Sequence, residues 1–458
     1  MSFWDAVWSL SASEMLFFFI ALVVAFGFEF INGFHDTANA VTTVIYSRSM
    51  KPTPSVVYSG ILNFLGVLLG GTAVAFSIVN LLPVDLLVNA RTAAALEMVL
   101  SILLAGVTWN LSTWYLGLPV SSSHTLIGSI LGVGLANSVL QGNGIYGINW
   151  SKAGEVGLAL LLSPLIGFVV SALLLLLMKF FIRDKRLYVP PVGEEKPPWW
   201  IRSVLIITCG GVSFAHGSND GQKGMGLLLL VLIGFLPVHH ALNTHHPEEA
   251  HLVLDAVVHI KKVLGDNTEK HSALVRDLDY LFSKLDNCHS LDDVQGDVRW
   301  EVRQAIYRSA QYLVKTPELK PLEPQWRQSR QVLLGAIEYV PLWVIVGTAL
   351  ALGIGTTVGY KRIVVTVAEK IGKSHLTYGQ GAAAELVAAL TILVASFTKA
   401  PVSTTQVLSS GVAGTMVANG TGVQPGTTRR ILLAWCMTLP ATMILGAIFF
   451  AVGRCFLR

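Results

Sequence analysis

The sequence is poor in charge and in cysteine. Only 13% of its 458 residues are Asp, Glu, Lys or Arg, whereas 53% are hydrophobic, and the mean hydropathy is +0.60. Such a composition excludes an ordinary soluble globular protein. The four cysteines show neither CxxC spacing nor a disulfide framework, which argues against metal or redox chemistry. Nothing in the net charge of +4 suggests nucleic-acid binding.

The sequence contains long apolar stretches. Seven of them approach or exceed the roughly 20 residues that a membrane-spanning helix needs. They lie near residues 15–31, 56–82, 93–115, 155–182, 333–357, 379–398 and 430–452. The segment before the first stretch contains two acids and no basic residue, so a cleaved leader is not expected. We therefore expect a multi-pass integral membrane protein.

Two polar segments interrupt this pattern. Residues 183–200 are rich in Lys and Arg, and the positive-inside bias predicts a basic cytoplasmic linker. Residues 241–332 have amphipathic periodicity over 252–264 and 272–285, which predicts a soluble helical insert. A segment of this length is exempt from the charge rule, so its side of the membrane stays open, as does that of the termini.

The chain also repeats itself. The segment GFHDTANA at 33–40 aligns with GSNDGQKG at 217–224, at an offset of 184 residues. PVSSSHTL at 119–126 aligns with PVSTTQVL at 401–408, at an offset of 282 residues. The difference between the offsets is close to the length of the polar insert, which therefore belongs to the second copy. The predicted organisation is a first transmembrane repeat over 1–182, the linker over 183–200, and a second repeat over 201–240 and 333–458 that the insert interrupts.

The first motif predicts an unusual helix. The apolar element after it, about residues 38–46, is too short to span and predicts a re-entrant segment, and the flanking glycines permit the helix to break. An odd number of crossings in each half would turn the second copy upside down relative to the first. We therefore predict an all-α polytopic membrane protein, an inverted-repeat secondary transporter with about 12 helical elements that include re-entrant or broken helices.

Asp36 and Asp220 occupy equivalent positions in the two copies. A carboxylate inside a membrane costs several kcal/mol unless it is paired, ligates a cation or faces water, so both are candidates for a cation or proton site. Lys223 replaces the Asn39 of the first copy, and either an ion pair with Asp220 or a place beside an anion would explain it. Other titratable residues in or near the motifs and spans are His35, His124, His216, Glu29, Glu97, Glu338 and Glu385.

The second motif has the pattern of a helix start. Proline fits the first turn of a helix, and Ser or Thr caps its free amide groups. Such a terminus offers amides, hydroxyls and a positive dipole end to a tetrahedral oxyanion, although ordinary capping or helix packing would explain one such motif alone. The predicted hydroxyl donors are Ser121, Ser122, Ser123, Thr125, Ser403, Thr404 and Thr405. Acids together with anion donors are what a cation-coupled anion symporter needs.

The paired motifs resemble the inorganic phosphate transporter (PiT) family, and GSNDGQKG and PVSTTQVLSS resemble its bacterial low-affinity branch. The resemblance covers both halves of the chain, except residues 241–332. It implies phosphate symport driven by protons or sodium, through an inverted repeat with two re-entrant hairpins. It also implies that Asn219 and Lys223 join the hydroxyls at phosphate, and that coupling involves His35, Asp36, Asn39 and Asp220.

His35 is the informative departure, because sodium-coupled members commonly have Asn there. This difference resembles the proton-coupled branch, which is associated with neutral metal–phosphate complexes. We therefore expect a proton-coupled, low-affinity phosphate importer of the bacterial inner (plasma) membrane, and not an enzyme. The alternatives on the same fold are sodium-coupled phosphate symport and a sulfate permease. Two further alternatives have a different function: an intramembrane phosphoesterase and a phosphate sensor.

The same reading predicts the ligands and partners. We expect no cofactor and no metal centre, H⁺ rather than Na⁺ as the coupling ion, and leave open the co-transport of Mg²⁺ with phosphate. The expected partners are inorganic phosphate and membrane lipid, without nucleic acid, and a homodimer is left open.

Overall fold

The structure is a computed structural model. It describes residues 3–81, 93–142, 144–145, 148, 150–190, 196–244, 249–265, 269–296, 298–398 and 402–456, apart from the side chains at 37, 39, 93–96, 152, 155, 156 and 368. These residues form helices and connecting segments, with one isolated β-bridge between Gly372 and Val423.

The helices in the first half of the described chain are α1 (Phe3–Trp8), α2 (Ala12–Tyr46), α3 (Pro52–Leu69), α4 (Ala73–Val79), α5 (Ala93–Tyr115), α6 (Ser122–Leu140) and α7 (Trp150–Phe181). Those that follow are α8 (Trp199–Phe235), α9 (Glu249–Leu264), α10 (Ser272–Leu285), α11 (Val298–Lys315), α12 (Glu323–Gly335), α13 (Leu342–Thr356), α14 (Lys361–Val365), α15 (Tyr378–Phe397), α16 (Thr404–Ala418) and α17 (Pro425–Phe456). Short 3₁₀ turns and one π-helical turn, Thr366–Lys370, lie between them.

The chain divides into two units. The smaller unit comprises Met1–Phe17 and Leu232–Val340, and the larger comprises Phe18–Val231 and Pro341–Arg458. In the smaller unit, α9 to α12 pack together through regularly spaced apolar positions, as in α10, where Leu274, Leu278, Leu281 and Leu285 are all buried. The amphipathic helices predicted over 252–264 and 272–285 are therefore confirmed.

Arg303 organises the ends of the smaller unit. Its guanidinium donates to the backbone carbonyls of Ala241 at 2.9 Å, Ile337 at 2.8 Å and His240 at 3.3 Å. Burial lowers the pKa of Arg303 to about 10, so the side chain still carries its charge at neutral pH. One buried cation thus ties together the first and last segments of the polar block.

The larger unit contains helices long and apolar enough to cross a membrane. Within the described residues, seven helices of the chain meet this criterion, and six of them correspond to predicted apolar stretches. The seventh, α6, was not among the predicted stretches, although its mean hydropathy of 1.3 equals that of α3. The stretch at 333–357 is different: after Pro341, α13 has only 15 residues. A proline in an extended conformation begins this helix.

The expected helix breaks at the glycine-flanked motifs are not present, so this prediction was wrong for both motifs. Helix α2 runs without interruption through residues 33–40, and α8 does so through residues 217–224. A Cβ on Gly33 would overlap the carbonyl oxygen of Leu352 in α13, and a Cβ on Gly217 would overlap that of Asn63 in α3. These glycines therefore permit backbones to approach closely across helices, a use of glycine that is common in membrane bundles.

The two sequence copies exchange packing partners in the larger unit. Helix α6 of the first copy packs along α17 of the second, and α16 of the second packs along α7 of the first. At the offset of 282 residues, α6 corresponds to α16, and α7 corresponds to α17 from residue 432 onward. Helix α3 likewise packs on α13. The relative orientation of the copies stays a prediction.

We expect Gly33→Ala to destabilise the protein by about 1–3 kcal/mol, because the added methyl group forces α2 away from α13. Thermal unfolding of the detergent-solubilised protein measures the effect. Gly27→Ala is the matched control on the same helix, since a Cβ at Gly27 meets nothing within 4 Å. Equal unfolding temperatures for the two variants would contradict the close approach.

Candidate functional site

Two acidic side chains meet inside the larger unit. Asp36 comes from α2 and Asp220 from α8, and both residues are at most 3% exposed. Each has an oxygen 3.5 Å from the same hydroxyl, that of Thr404. The repeat-equivalent acids predicted from the sequence therefore lie together, which buries two negative charges close to one another.

Two helix N-termini lie at these acids. Ser121 caps α6 by accepting the amide of His124 at 3.2 Å, and Ser403 caps α16 by accepting the amide of Gln406 at 3.2 Å. The next residue of each motif, Ser122 or Thr404, turns its hydroxyl toward Asp36. The predicted capping is thus confirmed, and the positive ends of both helices stabilise the acids.

Asp36 is surrounded by donors. Its Oδ1 accepts the hydroxyl of Thr405 at 2.5 Å and lies 3.2 Å from Nδ1 of His35. Its Oδ2 accepts the hydroxyls of Ser122 at 3.1 Å and, more weakly, of Thr404 at 3.5 Å. Donors from both Ser/Thr motifs therefore converge on one carboxylate, and such donors stabilise its ionised form.

Asp220 is balanced by a lysine one turn along the same helix. The ammonium of Lys223 lies 2.5 Å from Oδ1 of Asp220 and also donates to Ser123 Oγ at 2.6 Å and to the carbonyl of Val402 at 2.8 Å. Ser123 in turn donates to the same carbonyl at 3.0 Å. Lys223 thus joins α8 to both Ser/Thr motifs, and the ion pair considered from the sequence is present.

His216 connects the two acids. Its Nε2 lies 3.2 Å from Asp220 Oδ2 and 3.6 Å from Asp36 Oδ2, and its Nδ1 lies 2.8 Å from Oδ1 of Asn63. The amide of Asn63 donates to Thr356, whose hydroxyl donates to the carbonyl of Leu352, so Oδ1 of Asn63 accepts from the ring. Both ring nitrogens therefore face acceptors, the arrangement of a doubly protonated imidazole.

The sequence marked His216 only as a titratable residue beside a motif, and it did not mark Asn63 at all. The position of His216 directly before GSNDGQKG was a signal, whereas Asn63, in an apolar helix outside every motif, carried none. The ligand atoms of Asp36, His216 and Asp220 lie within 4.8 Å of one another, close enough to share a cation when the ring of His216 is neutral and its Nε2 carries no proton. A cation held there would be a coupling ion or part of the transported load, and the predicted absence of a resident metal centre stays a prediction.

Some predicted site residues lie differently. The hydroxyl of Thr125 donates to the carbonyl of Ser121 within its own helix at 3.1 Å, which accounts for it without a ligand. The amide of Asn219 donates to Ser396 on α15 at 3.2 Å. The side chain of Asn39 lies outside the described residues.

A second buried acid, Glu385, also joins several helices. Its carboxylate accepts the hydroxyls of Thr43 from α2 and, at 2.5 Å, of Thr208 from α8. The sequence marked Glu385 only as an acid in an apolar span. Because its threonine donors come from the same two helices as Asp36 and Asp220, this carboxylate fixes α15 against both of them.

The chain is similar to known transporters over nearly its whole length. Residues 32–446 match the phosphate transporter family. The low-affinity inorganic phosphate transporter of Buchnera aphidicola subsp. Acyrthosiphon pisum is 41% identical, with 96% of this chain and 97% of its own length covered. PitA, the low-affinity inorganic phosphate transporter of Escherichia coli strain K12, is also 41% identical, with 94% and 95% covered.

One solved structure shares the fold. The sodium-dependent phosphate transporter matches with a TM-score of 0.58 and 22% identity, over 96% of this chain and all of its own. The chain is thus a multi-pass helical membrane transporter of the bacterial inner membrane, not an enzyme. It belongs to the phosphate transporter family, as the paired motifs predicted.

We expect Lys223→Met to destabilise the protein by about 3–5 kcal/mol, because it leaves Asp220 buried without its closest cation. The double variant Lys223→Met/Asp220→Asn should recover much of this loss. Thermal unfolding in detergent measures both, and Lys361→Met, at an exposed lysine, is the control. Equal losses in the single and double variants would contradict the pairing.

Proposed function

We propose that this protein imports inorganic phosphate at low affinity by proton-coupled symport. The observation that carries the proposal is the convergence of two capped helix N-termini, two carboxylates and Lys223 in one buried cluster. Relatives across nearly the whole chain are named low-affinity inorganic phosphate transporters, which supports the same substrate.

The hydroxyls of the cluster suit a tetrahedral oxyanion. Ser122, Thr404 and Thr405 come from two helix starts and now donate to Asp36. A phosphate oxygen is an acceptor of the same kind, so phosphate and the Asp36 carboxylate compete for these donors. Lys223 and His216 lie beside them and supply positive charge.

This competition explains why phosphate would travel with a cation. When phosphate takes the hydroxyls, Asp36 loses the donors that stabilise it and stays buried. A buried carboxylate without donors costs several kcal/mol, and a proton or a metal cation removes that cost. The ligand-atom spacing of Asp36, His216 and Asp220 would also accept Na⁺ or the metal of a metal–phosphate complex. Proton coupling is preferred because His35 lies directly against Asp36.

Alternating access fits the exchanged packing of the two copies. Each Ser/Thr helix packs along a long helix of the other copy, so movement of one copy against the other reshapes both sides of the cluster. Such movement around a fixed site is how inverted-repeat transporters work. The packing supports this mode of transport.

Uptake of labelled phosphate into proteoliposomes tests the coupling ion. We expect an inward proton gradient to drive accumulation without sodium, with the potential clamped, and added magnesium to change the rate if metal–phosphate is the load. Uptake that requires sodium and ignores the proton gradient would replace proton coupling with sodium coupling. Competition by unlabelled sulfate tests the alternative substrate, and sulfate that displaces phosphate at equal concentration would contradict phosphate specificity.

We expect Asp36→Asn and Asp220→Asn each to lower the initial rate of phosphate uptake by at least about tenfold, since each removes a charge that couples cation to anion. Both proteins should still reach the membrane, because Asn preserves the size of the side chain. Asp286→Asn, at an exposed acid of the smaller unit, is the control. Near-normal uptake by both site variants would remove the aspartates from the transport mechanism.

A further inference from the structure

A third acid lies close to the cluster and has no part in it so far. Glu29 is on α2, seven residues before Asp36, and it is fully buried. Neither of its carboxylate oxygens has a hydrogen-bond partner among the described residues. Asp36, Asp220 and Glu385 all have donors or cations, so the situation of Glu29 is distinct from theirs.

Helix α8 makes room for this carboxyl group. A Cβ on Gly224 would overlap the carboxyl carbon and one oxygen of Glu29. Gly224 is the last residue of the GSNDGQKG motif, where the first copy has Ala40. The missing side chain on α8 therefore creates a space that the head group of Glu29 fills.

The charged residues of the site lie on the helix that Glu29 contacts. Asp220, His216 and Lys223 are on α8 with Gly224, and Lys223 is the residue directly before Gly224. With His216 doubly protonated, the two aspartates and the two cations already balance. An ionised Glu29 would add an uncompensated negative charge in a buried region, so burial without donors favours the protonated carboxyl group.

We propose that Glu29 is a proton-binding site whose proton is transported with phosphate. This inference rests on the proposed function. An ionised Glu29 and a phosphate ion would compete for Lys223 and His216, so phosphate binds more readily when Glu29 carries a proton, and by reciprocity phosphate favours that proton. The proton joins a carboxylate oxygen from water on one side and returns to water on the other after phosphate leaves.

Glu29 can take up a proton before phosphate binds, at a stage when the aspartates are held in their ionised form. Asp36 and Asp220 hold their charges through Thr405, Ser122 and Lys223, and protonation of either would sacrifice those contacts before phosphate arrives. Protonation of Glu29 sacrifices no hydrogen bond, because neither of its oxygens has a hydrogen-bond partner among the described residues. Its proton therefore responds to phosphate without dismantling the binding site.

The number of protons moved with each phosphate tests the proposal. The full-length protein is reconstituted in liposomes, the membrane potential is clamped, and the accumulation ratio of labelled phosphate is measured at zero net flux for a series of pH gradients. We expect Glu29→Gln to lower this ratio by about tenfold for each pH unit of gradient, since one proton fewer contributes. Exchange of internal for external phosphate at equal pH should persist, because Gln resembles the protonated acid. Glu14→Gln, on the same helix at a partly exposed acid, is the matched control.

Each possible result either supports or overturns the proposed role of Glu29 as a proton-binding site. A Glu29→Gln ratio equal to that of the wild type would overturn the role of Glu29 and leave the proposed function intact. A wild-type ratio that ignores the pH gradient would overturn proton coupling itself, and the inference with it. Loss of exchange in a folded Glu29→Gln protein would assign Glu29 to phosphate binding or to structure instead. If that variant is not recovered folded, Glu29→Asp decides: a displaced pH profile of uptake supports the proposal, and an unchanged profile overturns it.

Discussion

The cost of burying charge is the constraint on which this structure depends. Asp36 and Asp220 are buried, so donors, cations or helix termini must stabilise the charge of each. Lys223 and His216 from α8 supply the cations, and the Ser/Thr motifs supply hydroxyls from the starts of α6 and α16. Helices α2, α6, α8 and α16 are thereby held around one cluster. Any ion that enters the cluster must exchange some of its hydrogen bonds and ion pairs.

Much of this arrangement was predictable from the sequence because it is duplicated. One aspartate or one Pro-Val-Ser motif has ordinary explanations, whereas two copies at fixed offsets predicted a shared site, and the acids and helix caps do meet. The prediction that α2 and α8 are broken was wrong, because a glycine beside polar residues gives the same sequence pattern in a broken helix and in a close helix crossing. Only the partner backbone distinguishes the two, and the sequence does not show which helix crosses at Gly33.

The contributions of Asn63 and of Gly224 could not be predicted for a related reason. Each acts on a residue far away in the chain, Asn63 on the ring of His216 and Gly224 on the carboxyl group of Glu29. The two copies also differ chemically at aligned sequence positions: Lys223 aligns with Asn39, and Asn219 aligns with His35. Sequence symmetry therefore located the site, while its charge distribution depends on the positions where the symmetry fails.

The exchange of packing partners has a consequence for the independence of the two copies. Because α6 packs along α17 and α16 along α7, part of the buried surface of each copy is supplied by the other. Either copy by itself would leave those helix faces uncovered. The two copies therefore form one cooperative body rather than two domains that fold separately.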